Sequence, residues 1–278
     1  MKAWISTPDA GGLVALPLIS ALDHGFTVGD GVFETLKTKN GNAVLLDRHL
    51  QRLKKSADLL EISTPELDAV KIAILEVLAQ SEAKNAQLGR LRVTVTSGSG
   101  ELGSARGNGW TLVVVWSQAK PWPVSADVVI SEVVRNERSP LSGAKTTSYA
   151  ENALALHRAK KLGASEAILL NLKGNVCEGT GSNIFIVKNG VIITPPVSDG
   201  ILAGITRDAV IESIPKHLRF SQLSFTKEDL LGADEVFLTS STRDIQPVTR
   251  VDTVEYKIGP ITAELLKNFN TWMEELDE

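Results

Sequence analysis

Residues 90–96 alternate apolar and polar, with Leu91, Val93 and Val95 on one face, the period of a half-buried strand. Residues 47–62 repeat every three to four positions instead. Leu50, Leu53, Ala57 and Leu60 share one side, so the pattern predicts an amphipathic helix with Asp47 as its N-cap. A second helix follows to about Glu82. Its start has two readings: a Ser63/Glu66 capping box, or Thr64 as cap with Pro65 first. Ahead of both helices, glycines 25, 29 and 31 imply close backbone approach, and residues 32–37 read as a strand.

Residues 98–109 form a glycine-rich loop between the strand at 90–96 and another at 110–116. Its literal GxGxxG (Gly98, Gly100, Gly103) is not a dinucleotide motif, because no helix opens on its last glycine. Residues 117–124 hold Pro121 and Pro123 and are the best domain boundary. The predicted division is an N-terminal α+β domain at 1–118, a linker at 119–124 and a C-terminal α+β domain at 125–278. Past the linker the pattern predicts strands at 127–134 and 166–171 around a helix at about 149–162. Paired strands through Val187 and at 191–193, helices near Ile205 and Thr226, a strand at 235–239 and a helix from Pro260 to about Glu275 complete it. Strands and helices mix without regular βαβ alternation, which predicts the α+β class.

Composition removes several functions. The 278 residues carry a net charge of −4, so no basic field would gather nucleic acid or anionic lipid. No apolar stretch reaches 18 residues, and the N-terminus lacks a signal-like apolar run. The single cysteine, Cys177, excludes an intrachain disulfide; it lies in a strand-like stretch and reads as a small core residue. A cytoplasmic protein is expected. His24, His49, His157 and His217 show no metal-ligand spacing, so no metal site is predicted. GxSxG and GxxxxGK[ST] are absent.

Pyridoxal phosphate chemistry asks for an amine, an acid beside the pyridine nitrogen, a cradle for a phosphate dianion and a dry pocket. Lys145 follows the small residues Ser142-Gly143-Ala144, and Glu178 sits among glycines in Glu178-Gly179-Thr180-Gly181-Ser182. Residues 200–208 make a glycine turn into a helix whose first amides, with the Thr206 hydroxyl, suit a phosphate. Thr239-Ser240-Ser241-Thr242 adds hydroxyls at a strand end. Arg48 and Arg52 both offer a cation, and spacing does not choose between them.

These motifs, in this order, resemble the class IV aminotransferases, the fold-type IV pyridoxal phosphate family. The likeness runs from Gly29-Asp30-Gly31-Val32-Phe33-Glu34 through His49-Leu50-Gln51-Arg52-Leu53 and Lys145-Thr146-Thr147-Ser148-Tyr149. It continues through Glu178-Gly179 with Ser182-Asn183 and Gly204-Ile205-Thr206-Arg207 to Thr239-Ser240-Ser241-Thr242. The resemblance implies a two-domain D-amino acid aminotransferase-like fold, bound pyridoxal 5'-phosphate, a homodimer, and proton transfer on the re face of the cofactor. It makes Lys145 the Schiff-base lysine and proton shuttle, Glu178 the partner of the pyridine nitrogen, and Arg52 the phosphate arginine. Ile205, Thr206, Ser241 and Thr242 would complete the phosphate site, and Tyr149 would lie near the cofactor. Phe33, Ser97 and Arg243 would face a small amine or amino acid substrate. Ser97 stands where D-amino acid aminotransferases of this family carry a carboxylate-binding arginine. The Ser-Gly-Ser-Gly loop and the Lys145-Thr146-Thr147-Ser148-Tyr149-Ala150 run look closer to aminodeoxychorismate lyases, which release pyruvate and 4-aminobenzoate. The expected activity is therefore that lyase, with a branched-chain or D-amino acid transaminase as the alternative.

Overall fold

The structure is a computed structural model describing residues 3–15 and 18–277. Its contacts divide the chain into two compact units, Met1–Pro121 with Ala144–Tyr149, and Trp122–Gly143 with Ala150–Glu278.

The first unit runs β1 (Ala3–Ser6), β2 (Gly11–Val14), α1 (His24–Thr27), β3 (Gly31–Lys39), β4 (Asn42–Ala43), α2 (Leu46–Leu59), α3 (Leu67–Leu78), α4 (Ser81–Lys84), β5 (Leu88–Thr96) and β6 (Thr111–Gln118). Its strands form one antiparallel sheet in the order β2-β1-β6-β5-β3-β4. Leu91, Val93 and Val95 fill the core face of β5 as their alternation predicts, against Leu50, Leu53 and Ala57 of α2. Each such leucine contributes roughly 1.5–3 kcal/mol by leaving water.

Both helix starts differ from expectation. The cap of α2 is Leu45 in a left-handed conformation with no side-chain hydrogen bond, and Asp47 lies inside the first turn, where Lys71 pairs with it. The cap of α3 is Glu66, again without a side-chain bond, so neither the Ser63/Glu66 box nor Thr64 starts it. The tight turn out of β4 and the packing of Val70, Ile74 and Val77 set these ends, overriding local capping preference.

The lysine segment, expected with the C-terminal domain, joins this first unit. Phe33 N donates to Lys145 O at 2.8 Å and Thr147 N to Gly31 O at 2.8 Å, extending the start of β3. The Thr147 and Ser148 hydroxyls both donate to Gly29 O, at 2.8 and 2.9 Å.

The second unit runs β7 (Ala126–Arg135), α5 (Ala150–Lys161), β8 (Glu166–Asn171), β9 (Val176–Gly179), β10 (Asn183–Lys188), β11 (Val191–Thr194), α6 (Ile205–Glu212), β12 (Arg219–Gln222), α7 (Lys227–Leu231), β13 (Glu235–Ser240), β14 (Asp244–Val251), β15 (Val254–Glu255) and α8 (Pro260–Asp277). A mixed sheet follows the order β12-β11-β10-β13-β14-β7-β8-β9, with β15 beside β14. The β14–β7, β7–β8 and β11–β12 pairs are parallel and the others antiparallel, an α+β arrangement. Ile184, Ile186, Val236 and Leu238 form its apolar centre. Thr226 caps α7 in a capping box with Asp229. Among the described residues, no helix is long and apolar enough to cross a membrane, and no cluster of three potential ligands could hold a metal ion.

Candidate active site

In the first unit the site grows from β3, whose alternation turns Phe33 and Glu34 to opposite faces, both buried. Lys145 N donates to Ser56 Oγ at 3.2 Å, which ties the lysine backbone to α2. The Lys145 ammonium lies 4.5 Å from the Phe33 ring centroid and 5.8 Å from that of Tyr149, and the two rings meet edge to face at 5.4 Å. The Arg92 guanidinium sits 3.3 Å from the same Phe33 centroid, with its Nε donating to Thr94 Oγ1 at 3.1 Å. Burial lowers its pKa to about 10 against the pull of Tyr149 and Glu34.

Behind Phe33, one carboxylate is gripped from two sides. His49 and Arg52 stand three apart on α2 and reach the same partner. Arg52 donates to Glu34 through Nε and Nη2, both at 2.8 Å, and His49 Nδ1 lies 2.7 Å from Glu34 Oε2. Burial alone would raise the Glu34 pKa; the Arg52 charge and the hydrogen bonds from Arg52 and His49 outweigh it and carry the pKa down to about 2. Burial, together with the Arg52 and Lys145 charges, keeps His49 below its ordinary value despite Glu34.

In the second unit Glu178 is the penultimate residue of β9. Its Oε2 accepts from Leu202 N at 2.9 Å and Asn183 Nδ2 at 3.3 Å, and its Oε1 from Arg135 Nη2 at 3.2 Å. Asn183, the first residue of β10, also donates to Leu202 O at 2.9 Å, so the loop before α6 is fastened both to β10 and, through Leu202 N, to Glu178 itself. Helix α6 opens at Ile205 with Gly204 as cap and no side-chain hydrogen bond, leaving its first amides to another acceptor. A Cβ on Gly204 would stand 1.9 Å from Asn183 Oδ1, so any larger residue there would have to displace the Asn183 amide. Thr206 is buried in this first turn. Ser241, Thr242 and Arg243 form the turn between β13 and β14.

Lys145, Tyr149, Phe33 and Arg52 thus gather in the first unit, and Glu178, Ile205, Thr206, Ser241 and Thr242 belong to the second. Ser97 is buried in the turn that leaves β5, its N–H donating to Asp30 O at 3.1 Å. Arg243 is engaged inside its own unit, by Gln246 at 2.5 Å, by Glu166 at 3.4 Å and by the Trp122 ring. The sequence reading did not single out Glu34, His49, Arg92, Ser56, Asn183, Arg135 or Glu166 as site residues. Glu34, His49 and Asn183 lay inside its motifs, yet their partners are distant in the chain.

The donor set fits pyridoxal phosphate. A helix start whose glycine cap makes no side-chain hydrogen bond and the hydroxyls of Thr206, Ser241 and Thr242 suit a phosphate dianion, and a buried hydroxyl at Thr239 without a protein partner adds to them. Glu178, a carboxylate already held by three donors, suits a protonated pyridine nitrogen.

Two mixed α+β units, a lysine against aromatic rings and an acid beside a glycine-capped helix define a pyridoxal phosphate enzyme of fold type IV. Residues 31–251 match the family model for amino-transferase class IV, and the chain belongs to that family. Its members depend on pyridoxal phosphate. The chain is 37% identical over 261 residues, 90% of each protein, to the "Putative branched-chain-amino-acid aminotransferase" of Methanocaldococcus jannaschii. It is 34% identical to the D-alanine aminotransferase of Bacillus licheniformis, over 91% of this chain and 89% of that one. A crystal structure of a "Putative 4-amino-4-deoxychorismate lyase" from Legionella pneumophila superposes with a TM-score of 0.86 at 27% identity, over 93% of this chain and 96% of that one.

Proposed function

We propose that the chain is an amino acid transaminase, passing an amino group from an α-amino acid to a 2-oxo acid. The observation that carries this is Arg92, a largely buried guanidinium set on the ring that Lys145 also faces. A carboxylate-bearing substrate bound there would present its neighbouring amine or carbonyl to the lysine, and the two half-reactions of a transaminase need one such cation in common. Full-length likeness to two aminotransferases above 30% identity supports the same reading.

When bound, pyridoxal phosphate supplies an electron sink that acidifies the substrate α-carbon. Lys145 would hold the cofactor covalently and then, as a free amine, carry the proton to and from that carbon. Glu178 would keep the pyridine nitrogen protonated, with Asn183, Leu202 N and Arg135 fixing its carboxylate. Arg52, Ile205, Thr206, Ser241 and Thr242 would hold the phosphate, with Glu34 fixing the Arg52 guanidinium. Tyr149 and Phe33 would wall the lysine from water.

Aminodeoxychorismate lyase is the second reading, favoured by the Legionella structure and by the Ser97-Gly98-Ser99-Gly100 turn. The homodimer belongs to the same proposal. Leu18, Ile19, Leu22, Phe26 and Val28, exposed apolar side chains within one stretch of the first unit, suit a second copy. Purified protein reconstituted with pyridoxal phosphate is to be mixed with L- and D-amino acids, and with aminodeoxychorismate. Conversion of the visible cofactor band by an amino acid, reversed by a 2-oxo acid, is the expected result. Formation of 4-aminobenzoate without amino acid turnover would replace it by the lyase. Lys145→Ala should abolish both.

A further inference from the structure

Glu166 begins β8, is buried, and does more than close an ion pair. Its Oε1 accepts from Ala167 N at 3.1 Å, from Thr180 N at 3.0 Å and from the Thr180 hydroxyl. Its Oε2 accepts from Ser182 Oγ at 3.1 Å and Arg243 Nη2 at 3.4 Å. One carboxylate therefore touches two turns far apart in the chain.

The first turn, residues 179–182, carries the chain from Glu178 to Asn183. Gly179 N donates to Ser182 O at 2.7 Å, and Asn152 Nδ2 donates to Thr180 O at 2.8 Å. A Cβ on Gly179 would meet Ser182 Oγ at 2.3 Å and Glu166 Cγ at 3.0 Å, so the turn is folded directly onto the carboxylate. Asn183, delivered by this turn, is a donor to Glu178. The second turn is 241–243. Arg243 donates its backbone N–H to Ser240 O at 3.1 Å, and its buried guanidinium is held by Gln246, Ser165 O at 3.3 Å and Glu166, 3.8 Å from the Trp122 ring centroid.

We propose that Glu166 is a positioning residue that couples the two cofactor-facing turns of this unit. Through Thr180 and Ser182 it sets the acid end, Glu178 with Asn183; through Arg243 it sets the hydroxyl end, Ser241 and Thr242. This rests on the cofactor site proposed above. It also gives Arg243 a role in shaping the phosphate turn in place of the substrate contact that the resemblance suggested. A buried carboxylate serving five donors has no slack, so losing its charge frees both turns together.

The test compares holoenzyme variants Glu166→Gln, Arg243→Met, the double variant, and Ser182→Ala. The readouts are the phosphorus resonance of the bound cofactor, the pH dependence of its visible band, its dissociation constant, and amide exchange at Thr180 and Ser182 in the apoprotein. Glu166→Gln is expected to move the phosphorus resonance and the visible-band pH profile together, and to weaken cofactor binding about 10- to 100-fold. Ser182→Ala, which keeps the ion pair, should shift the visible-band profile and leave the phosphorus signal in place. The double variant should bind cofactor at least about tenfold better than the product of the two single losses predicts. A lower melting temperature with both spectroscopic signals unchanged would overturn the coupling, as would additive losses. Should Glu166→Gln fail to fold, Ser182→Ala and the apoprotein exchange decide alone: native signals in both overturn the proposal. Reductive trapping of the wild-type cofactor on Lys145 separates the two failures. Trapping there with silent variants sinks only the coupling; no trapping at Lys145 sinks the site.

Discussion

Arg52 and Glu34 face each other across two parallel contacts of 2.8 Å, Nε to Oε1 and Nη2 to Oε2. The arginine expected to hold a phosphate is thus first oriented by a buried carboxylate, whose second neighbour is His49. A guanidinium fixed on one edge loses little further freedom when its other edge meets an anion.

That pairing predicts acid sensitivity. The folded pKa of Glu34, about 2, lies below its ordinary 4.5. Its stabilising contribution is therefore complete above pH 4.5 and is lost as pH falls from there towards 2. The loss is on the order of 3 kcal/mol. Acid titration of the apoprotein by circular dichroism should show Glu34→Gln less stable than wild type at neutral pH, with the gap closing below about pH 4. A constant gap at every pH would contradict it.

Cofactor binding should follow the same pair. Arg52→Ala is expected to cost about 1.5–3 kcal/mol of pyridoxal phosphate affinity, one charge-assisted contact, with substrate preference unchanged. Fluorescence titration of apoprotein measures it. Native affinity in that variant would return the phosphate role to another cation, Arg48 first.

Arg92→Met should raise KM for carboxylate-bearing substrates about 10- to 100-fold while leaving cofactor affinity near native. Steady-state kinetics with an amino acid and its decarboxylated amine separate the effects, because the amine should be indifferent to the change. Equal losses for both would remove the carboxylate role.

Gly204→Ala acts through space, since φ there is −74° and any residue can adopt it. The added methyl would strike Asn183 Oδ1, displacing a side chain that also holds Glu178. A stability loss of about 1–3 kcal/mol is expected, together with a shifted visible band. A native spectrum would mean that Asn183 moves aside without disturbing the acid.

Periodicity alone was enough for most elements. The alternation at Leu91, Val93 and Val95 and the helical stripe at Leu50, Leu53 and Ala57 pointed inward as read, because those patterns record which face leaves water. Helix starts were less legible. Asp47, Ser63 and Thr64 are good caps in isolation, but packing of the helix face and the left-handed Leu45 chose other ends. The hairpin β1–β2 and strands β12 and β14 were not read at all, since each is short or interrupted by polar residues and a proline.

By itself the sequence determined the class of chemistry: a lysine, an acid among glycines and a glycine-capped helix in a family order. These are local features, with residue type and spacing carrying the signal. Tertiary structure decided what those residues lean on. Lys145 joins the unit of β3 although it follows the linker, Arg52 rather than spacing-equivalent Arg48 meets Glu34, and Arg243 turns to Glu166. Each decision pairs residues 18 to 112 positions apart, as for Arg52 with Glu34 and Lys145 with Phe33. Buried charges must find partners, and only the folded chain sets which ones come within reach.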